Sequence, residues 1–256
     1  MFTKDEAIQY LQDVLNIRIG QLPFAPCDER LQILNDIIYR QHEIPFQSIS
    51  LCSLPPEKRR RPTVAEVKEA VLSKTGGLCY TLNVFLFYLL RALGYEAFLN
   101  KSKVLTGRVS DNHILVLVDN VVSNGDSYLA EVGCANPTFT ALSLNFDKES
   151  PVYRELSLTY KLVKIGNVIT QMHADHKADP QEFPTGKFEP FYEFEVNMKT
   201  SIGELDEIFD HLYENVPSMS FHRMLLAKTL TKRKLVSLVI RTLENRKLVI
   251  RFDNGN

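Results

Sequence analysis

The chain has 256 residues, of which 45% are hydrophobic and 24% charged, a composition typical of a globular protein with a large core. Its formal net charge of −1 argues against nucleic acid or an acidic membrane surface as the main partner. No apolar run has the length of a membrane span, and the N-terminus lacks the apolar core of a secretory signal. The four cysteines form no CxxC pair, which argues against a disulfide scaffold or structural zinc site and predicts a cytoplasmic protein with free thiols.

The N-terminal third of the chain has helical patterns. Apolar residues line one face of Asp28–His42, and Thr63–Glu66 has the spacing of a capping box, which predicts a helix up to about Ser73. A long helix with apolar residues on every face then begins at Cys79, and Gly94 is expected to end it. The basic run 58–61 lies between the first of these helices and the capping box at Thr63. It could attract phosphates, although a solvated loop is the preferred interpretation.

Short strand-like segments follow Gly94. The clearest are His113–Val118 and Tyr128–Val132, and Asn124–Gly125 predicts a tight turn between them. The polar stretch Ala174–Pro190 reads as a loop, and a helix is expected from Ser201. Further strands are predicted at Tyr153–Val163, Tyr192–Val196, Leu235–Ile240 and Leu248–Phe252.

The junction Gly76-Gly77-Leu78-Cys79 is the strongest chemical signal. A cysteine in the first turn of a helix lies at the positive end of the helix dipole, which favours thiolate. The two glycines allow backbone and substrate to approach the sulfur closely. This pattern predicts that Cys79 is a nucleophile, in preference to an inert buried thiol.

A base and an acid for this nucleophile are sought in the predicted hairpin. If it turns about residues 119–126, cross-strand partners have numbers that sum to 244 or 245. His113 and Glu131 sum to 244, so they are expected almost opposite each other on one face. A histidine oriented by a carboxylate is the arrangement that activates a thiol.

Four segments, in order and spacing, resemble motifs of the arylamine N-acetyltransferase family. Gly76–Asn83 is similar to the family's active-site cysteine motif. The other three are His42–Ser48, similar to H-x-I-P-F-E-N; Asn112–His113 with Glu131–Gly133, similar to the His and D-V-G strands; and Pro217–Phe221, similar to P-x-S-x-F.

The resemblance implies an α+β fold of three parts: an N-terminal helical domain (1–92), an antiparallel β-barrel-like domain (93–196) and a C-terminal α/β lid (197–256). It implies a triad of Cys79, His113 and Glu131, in which Glu131 stands where the family has aspartate. It also implies an acetyl group passed from acetyl coenzyme A (acetyl-CoA) through the cysteine to an aromatic amine or hydrazine.

Binding residues are carried over from the same resemblance. Ser110 and Ser218 are expected to contact CoA. Phe46, Cys134, Asn136 and Thr138 are expected to shape the acceptor pocket, the last three by alternating toward one face after the Glu131 strand. Neither the acceptor amine, the preferred acyl chain nor the oligomeric state follows from the sequence.

Three charged residues of the family motifs are neutral in this chain. Thr75 replaces the arginine before Gly-Gly, Thr81 replaces a glutamate after the cysteine, and Gln47 replaces the glutamate of I-P-F-E-N, with Ser48 for its asparagine. Removing one partner of a buried charged set costs roughly 3–5 kcal/mol, so loss of the whole set predicts a rewired and satisfied network. It also brings CoA turnover into question.

Other functions remain open at this point. A thiol hydrolase or amide-forming enzyme could use the same triad, and a binding protein could keep the fold without turnover. No metal is expected, because His173-Ala174-Asp175-His176 lies in the predicted loop without a helical frame for two ligands. Cys134 is interpreted as a packing residue, with a redox partnership with Cys79 as the less favoured alternative.

Overall fold

Two antiparallel sheets and six α-helices make up the part of the chain that the structure describes. The structure is a computed structural model, and it describes residues 2–17, 27–105, 112–156, 158–175, 187–214, 220–231, 234–241 and 247–253. The helices are α1 (Lys4–Asp13), α2 (Cys27–Gln41), α3 (Ile49–Cys52), α4 (Val64–Leu72), α5 (Cys79–Ala92) and α6 (Ile202–Glu214). None of the described helices is long and apolar enough to cross a membrane.

The strands form an eight-stranded and a four-stranded sheet. The larger, a curled half-barrel, has the order β5-β4-β3-β2-β9-β8-β7-β6, and the smaller has the order β1-β10-β11-β12. The α+β class is therefore confirmed. The strands are β1 (Phe46–Gln47), β2 (Glu96–Val104), β3 (His113–Asp119), β4 (Ser127–Ala130), β5 (Leu142–Ser143), β6 (Tyr153–Glu155), β7 (Leu158–Ile165), β8 (Val168–Asp175), β9 (Glu189–Glu195), β10 (Met224–Thr231), β11 (Lys234–Arg241) and β12 (Lys247–Asp253).

Local signals fix the helix ends as the sequence predicts. The Thr63 side chain accepts from the Glu66 N–H, and the Glu66 carboxylate accepts from the Thr63 N–H, which completes the predicted capping box of α4. Gly94 has a positive φ of 87° directly after α5 and ends that helix.

The strand β3 separates two cores. Its residues Leu115 and Leu117 belong to the core inside the curled sheet, whereas Ile114 and Val116 pack in the larger core around α5. Because alternate residues of a strand point to opposite faces, β3 is buried on both sides. The sheet thus lies against the cysteine helix and also encloses its own interior.

Two predictions about the middle of the chain are wrong. The stretch around Ala174–Pro190 is not a loop at its described ends, because β8 runs to Asp175 and β9 begins at Glu189; residues 176–186 lie outside the described part. His173 is a strand residue stacked on Phe191, with ring centroids 4.2 Å apart, and does not belong to an exposed loop.

The connection between β3 and β4 also differs from the predicted tight turn. It spans residues 120–126, and the Asp126 carboxylate accepts hydrogen bonds from the N–H groups of Val121, Val122 and Ser123. Gly125 has a φ of 87°, so the predicted turn residue supplies one positive-φ position in a longer loop.

Candidate active site

Cys79 is the first residue of α5 and is 6% exposed. Leu78 precedes it in an extended conformation, and no side chain caps this helix start. The N–H groups of a first helical turn lack intrahelical acceptors, so the sulfur lies where the helix dipole favours negative charge. Cys79 therefore occupies the predicted position in the first turn of its helix.

The two glycines before the cysteine serve protein packing. Gly76 has a φ of 72°, and a Cβ there would lie 1.9 Å from the Pro45 carbonyl oxygen. A Cβ on Gly77 would lie 2.5 Å from the Thr81 Oγ1. The chain itself therefore occupies the space beside the glycines, where the sequence predicted room for substrate as well as backbone.

His113 and Glu131 are brought together, as predicted. His113 begins β3, Glu131 directly follows β4, and both side chains are 3% exposed. The distance from His113 Nε2 to Glu131 Oε1 is 3.4 Å. The Cys79 side chain is close enough to raise the pKa of His113, so this imidazole lies between the proposed nucleophile and the proposed acid.

The register that joins them differs from the predicted one. Paired residues of β3 and β4 include Val116 with Ala130, and this places Glu131 level with Leu115, two residues from His113. The strand also ends at Ala130, not at Val132 as predicted. A shift of two residues keeps side chains on the same face, so the pair survives as diagonal neighbours.

The Glu131 carboxylate is held by three donors. Its Oε1 lies 3.0 Å from Asn83 Nδ2 and accepts from the Gly133 N–H, in addition to its contact with His113. Asn83 also donates to the Ile114 carbonyl and accepts from the Val132 N–H. Asn83 therefore fixes the strand that carries His113 and the segment that carries Glu131.

Asn83 received no function in the sequence analysis, although it stood inside the cysteine motif. It lies four residues after Cys79 on α5 and so shares that face of the helix. The signal available in the sequence was a polar residue one turn after the predicted nucleophile, in a helix that is otherwise apolar on every face; the structure buries it completely, at 0% exposure.

Cys134 makes a second thiol contact to the same imidazole. Its Sγ lies 3.1 Å from His113 Nε2, the atom that also faces Glu131. The sequence predicted a packing or pocket residue here, with a redox partnership with Cys79 as the less favoured alternative. The structure places this thiol beside the catalytic candidates, and Cys52, Cys79 and Cys134 are free.

The buried groups shift one another's pKa values. Burial lowers the pKa of His113, but Cys134, Cys79 and the Glu131 carboxylate outweigh it and hold that pKa well above 6.5. Burial raises the pKa of Glu131, and the opposing effects of His113, Asn83 and Gly133 hold it below 4.5. Burial and the charge of Glu131 raise the pKa of Cys134 to about 12. The pKa of Cys134 lies far above neutral pH, so this residue is a neutral thiol there.

The residues predicted to line the acceptor pocket do not alternate along a strand. Residues 131–138 have left the sheet, and Ala135 has a positive φ of 54°. The Thr138 hydroxyl donates to the Glu131 carbonyl, and the Asn136 carbonyl faces His42 Nε2 at 3.0 Å. These two residues brace the Glu131 segment, and only Cys134 contacts His113.

The remaining predicted binding residues have different outcomes. Phe46 is buried in β1, with its ring centroid 5.6 Å from that of Phe221. Ser110 and Ser218 lie outside the described residues, so their predicted contacts with CoA remain predictions.

The neutral residues that replace the family's charged set form a satisfied network. Gln47 Nε2 donates to Ser50 Oγ and to the Gly76 carbonyl, while its Oε1 accepts from the Ser50 N–H. Ser48 Oγ donates to the Met224 carbonyl. Gln47 and Ser48 therefore have the hydrogen-bond partners that the predicted rewiring requires.

Polar groups without partners extend from His113 across the inner face of the larger sheet. Ser102 pairs with His113 across β2 and β3, and the Tyr192 ring lies 5.9 Å from the His113 ring. Among the described residues, Ser102 Oγ, the Tyr192 hydroxyl and Gln171 Nε2 have no hydrogen-bond partner. Buried polar groups without partners are costly, so this face is suited to a polar ligand or to water.

Comparison with known proteins identifies the architecture. A family model described as N-acetyltransferase matches residues 30–254. The arylamine N-acetyltransferase of M. tuberculosis is similar in structure, with a TM-score of 0.68 and 18% identity over 95% of this chain and 86% of that one. No curated protein sequence matches the chain.

Two further solved structures have the same fold. The enzyme from Salmonella typhimurium has a TM-score of 0.68 and 17% identity, over 97% of this chain and 85% of that one. The enzyme from Mycobacterium marinum, solved in complex with CoA, has a TM-score of 0.69 and 16% identity, over 95% and 86%. With the match over 225 of 256 residues (30 to 254 inclusive), the chain belongs to the arylamine N-acetyltransferase family of acyltransferases.

Proposed function

We propose that this protein transfers an acetyl group from acetyl-CoA to an aromatic amine or hydrazine through a covalent intermediate on Cys79. The observation that carries the proposal is the buried imidazole of His113, which lies 3.4 Å from the Glu131 carboxylate and whose pKa the Cys79 side chain raises. A thiol, an imidazole and a carboxylate in this order are the parts of a nucleophilic triad.

The first half-reaction begins at the sulfur. The Cys79 thiolate attacks the thioester carbonyl of acetyl-CoA, and the tetrahedral intermediate collapses with CoA as the leaving thiol, which takes a proton from His113. The Cys79 backbone N–H, free at the helix start, is placed to stabilise the oxyanion. Acetyl-Cys79 remains. The CoA-bound relative from Mycobacterium marinum supports this donor, since it has the same fold.

The second half-reaction uses His113 as a base. The amine attacks the acetyl thioester, His113 accepts its proton, and the Cys79 thiolate leaves as the product amide forms. Glu131 keeps the imidazole oriented and stabilises its charge, because three donors fix the carboxylate. The proposed chemistry requires no metal, and the predicted cytoplasmic location remains a prediction.

Polar acceptors suit this site best. The unpaired Ser102 hydroxyl and Tyr192 hydroxyl lie on the inner face next to His113, and a ring substituent with a hydroxyl, carboxyl or amide group would satisfy them. We therefore expect substituted aromatic amines to react faster than unsubstituted aniline.

Mass spectrometry of the intact protein tests the intermediate. Acetyl-CoA alone should add one acetyl group to Cys79, and a Cys79→Ser variant should remain unmodified. Cys52→Ala is the matched control, because Cys52 donates to the Phe221 carbonyl away from the triad, and it should acetylate as the natural protein does. No adduct on Cys79, with the thiol still reactive toward iodoacetamide, would instead support a binding protein without turnover.

The fate of the acyl group separates transferase from hydrolase. With acetyl-CoA and an excess of aromatic amine, the amide should form faster than free acetate. Faster release of acetate in the presence of the amine would contradict acyl transfer and would favour a thiol hydrolase with the same triad.

A further inference from the structure

The side chains around His113 form a ligand set that zinc prefers. His113 Nε2 lies 3.1 Å from Cys134 Sγ and 3.4 Å from Glu131 Oε1, and the three ligand atoms lie within 4.8 Å of one another. Imidazole, carboxylate and thiolate are the ligands of tetrahedral zinc sites.

We propose that Zn²⁺ binds His113, Glu131 and Cys134, with water in the fourth position, and that the bound ion inhibits the enzyme. This inference goes beyond the proposed function, and its binding measurement does not depend on acyl transfer. The ion would hold the proposed base and the proposed acid, and so would withdraw both from catalysis.

The distances between ligand atoms fit a tetrahedral ion. Zinc bonds of about 2.0–2.3 Å give ligand–ligand separations of roughly 3.3–3.6 Å in a tetrahedron. The observed 3.1 Å between Cys134 Sγ and His113 Nε2 is a few tenths of an ångström from this range, and the 3.4 Å between Nε2 and Glu131 Oε1 lies within it. The third separation, between Cys134 Sγ and the Glu131 carboxylate, is within 4.8 Å.

The surroundings also suit a metal ion. His113 and Glu131 are buried, and a dication there needs compensating negative charge, which Glu131 and the Cys134 thiolate that zinc binding would create supply. Asn83 and the Gly133 N–H hold the Glu131 carboxylate from behind, as outer hydrogen bonds hold the ligands of known metal sites. Mg²⁺ and Ca²⁺ prefer oxygen ligands and should not bind this set.

Metal content measures the site directly. The protein, reduced with a phosphine and freed of metal, is incubated with Zn²⁺, passed through gel filtration and analysed for zinc. We expect about one zinc per chain, and Co²⁺ should give a thiolate-to-cobalt absorption band. Mg²⁺ should not be retained.

Two variants locate the ion, and one serves as a control. Cys134→Ala should weaken Zn²⁺ binding by more than about 100-fold, and Glu131→Gln should do the same if the alanine variant fails to fold. Cys52→Ala removes a thiol outside the cluster and should bind zinc as the natural protein does. Equal affinity in Cys134→Ala, or a natural protein that retains no zinc, would overturn the proposal.

Inhibition is measured by initial rates. Zn²⁺ at saturation should abolish amide formation, and a chelator should restore it fully. Retained activity in the zinc-loaded protein would overturn the inhibitory part. If the protein has no acyltransferase activity, the metal-content measurement still decides whether the ion binds, so the two failures are distinguishable.

Discussion

At the scale of single residues, His113 organises the site because its imidazole faces a carboxylate and two cysteines. Cys134 Sγ lies 3.1 Å from its Nε2 and Cys79 raises its pKa, yet only Cys79 lies at a helix start. The pKa of Cys134 is raised to about 12, so this thiol is neutral at neutral pH. The helix start therefore distinguishes the proposed nucleophile from its neighbour.

Replacement of Glu131 by Gln should lower kcat/KM by at least about 100-fold. The amide can still accept a hydrogen bond, but it removes the negative charge that stabilises imidazolium. Glu131→Asp keeps the charge on a shorter side chain, so its kcat/KM should lie between those of the natural protein and of Glu131→Gln. Steady-state rates with acetyl-CoA and an aromatic amine give the three kcat/KM values. A rate for Glu131→Gln close to that of the natural protein would remove Glu131 from the mechanism.

Replacement of Asn83 by Ala should lower kcat by up to about 100-fold with a smaller effect on KM, because it releases Glu131 without touching substrate. Asn100→Ala is the control, since Asn100 is also buried and donates to two carbonyls, those of Glu195 and Met198, away from the triad. That variant should lose stability and keep kcat. Equal loss of kcat in both variants would contradict a positioning function of Asn83.

At the scale of elements, the start of α5 is fixed by close backbone packing. The Gly77 N–H donates to the Pro45 carbonyl, and the Gln47 N–H donates to the Gly77 carbonyl, so β1 and the Gly-Gly turn lie side by side. This contact sets the position of Cys79. It leaves no room for a side chain on Gly76.

Gly76→Ala should lower the free energy of unfolding by roughly 3–5 kcal/mol, because the new methyl group combines a positive φ with a clash against Pro45. Gly125→Ala isolates the backbone contribution, since Gly125 also has a positive φ but has nothing within 4 Å of its would-be Cβ. Gly125→Ala should lower the free energy of unfolding by only about 1–2 kcal/mol. Urea unfolding of both variants gives the comparison, and equal costs would contradict the steric explanation.

The strand β8 carries an acid-sensitive residue. Burial lowers the pKa of His173 from 6.5 to about 4, so the folded chain binds this proton less readily than the unfolded chain. Stability is therefore unaffected above about pH 6.5 and decreases as the pH falls from there toward 4.

His173→Phe should keep the stack on Phe191 and remove this pH dependence. Between pH 7.5 and pH 5, the natural protein should lose roughly 2 kcal/mol more stability than the variant. Urea titrations at the two pH values measure the difference. Parallel losses in both proteins would show that His173 is not the group responsible.

At the scale of the whole molecule, a charged cluster joins the α5 region to α6. Arg61, whose side chain is 16% exposed, lies 3.1 Å from Asp206 and 2.8 Å from Asp210, and donates to the Tyr80 hydroxyl. Tyr80 directly follows Cys79 and donates to Asp206. The basic run read as a solvated loop thus contributes one largely buried arginine that holds distant segments together.

Arg61→Met should lower the free energy of unfolding by about 2 kcal/mol, because two carboxylates and a tyrosine lose their common partner. Arg60→Met is the matched control: Arg60 is exposed and its ion pair with Glu66 lies on the surface, so its loss should leave stability nearly unchanged. Thermal unfolding of the two variants gives the measurement. Similar effects at both positions would contradict a special contribution of Arg61.

The division into domains 1–92, 93–196 and 197–256 remains a prediction at this scale. Phe46 and Gln47, from the first of these ranges, form strand β1 and pair with Lys228 and Ala227 of the third. Ser48 donates to the Met224 carbonyl and accepts from the Leu226 N–H. The smaller sheet therefore contains chain from both ends of the sequence.

The sequence by itself determined the local features. The capping box of α4, the helix that begins at Cys79 and ends before Gly94, and the pairing of His113 with Glu131 all follow from short-range patterns. Such patterns depend on residues within a few positions of one another, and strand parity alone was enough to keep the two triad residues on one face. The order of four family motifs supplied the fold class.

Only the tertiary structure decided which groups meet at His113. The contacts of Cys134 and Asn83, the burial of His173 and the partners of Arg61 each join segments far apart in the chain. The exact register of β3 and β4 was also beyond the sequence, because Asp126 organises a longer loop than Asn124–Gly125 alone predicts. Periodicity predicts which face of a strand or helix a residue occupies, whereas three-dimensional packing determines which residue it contacts on that face.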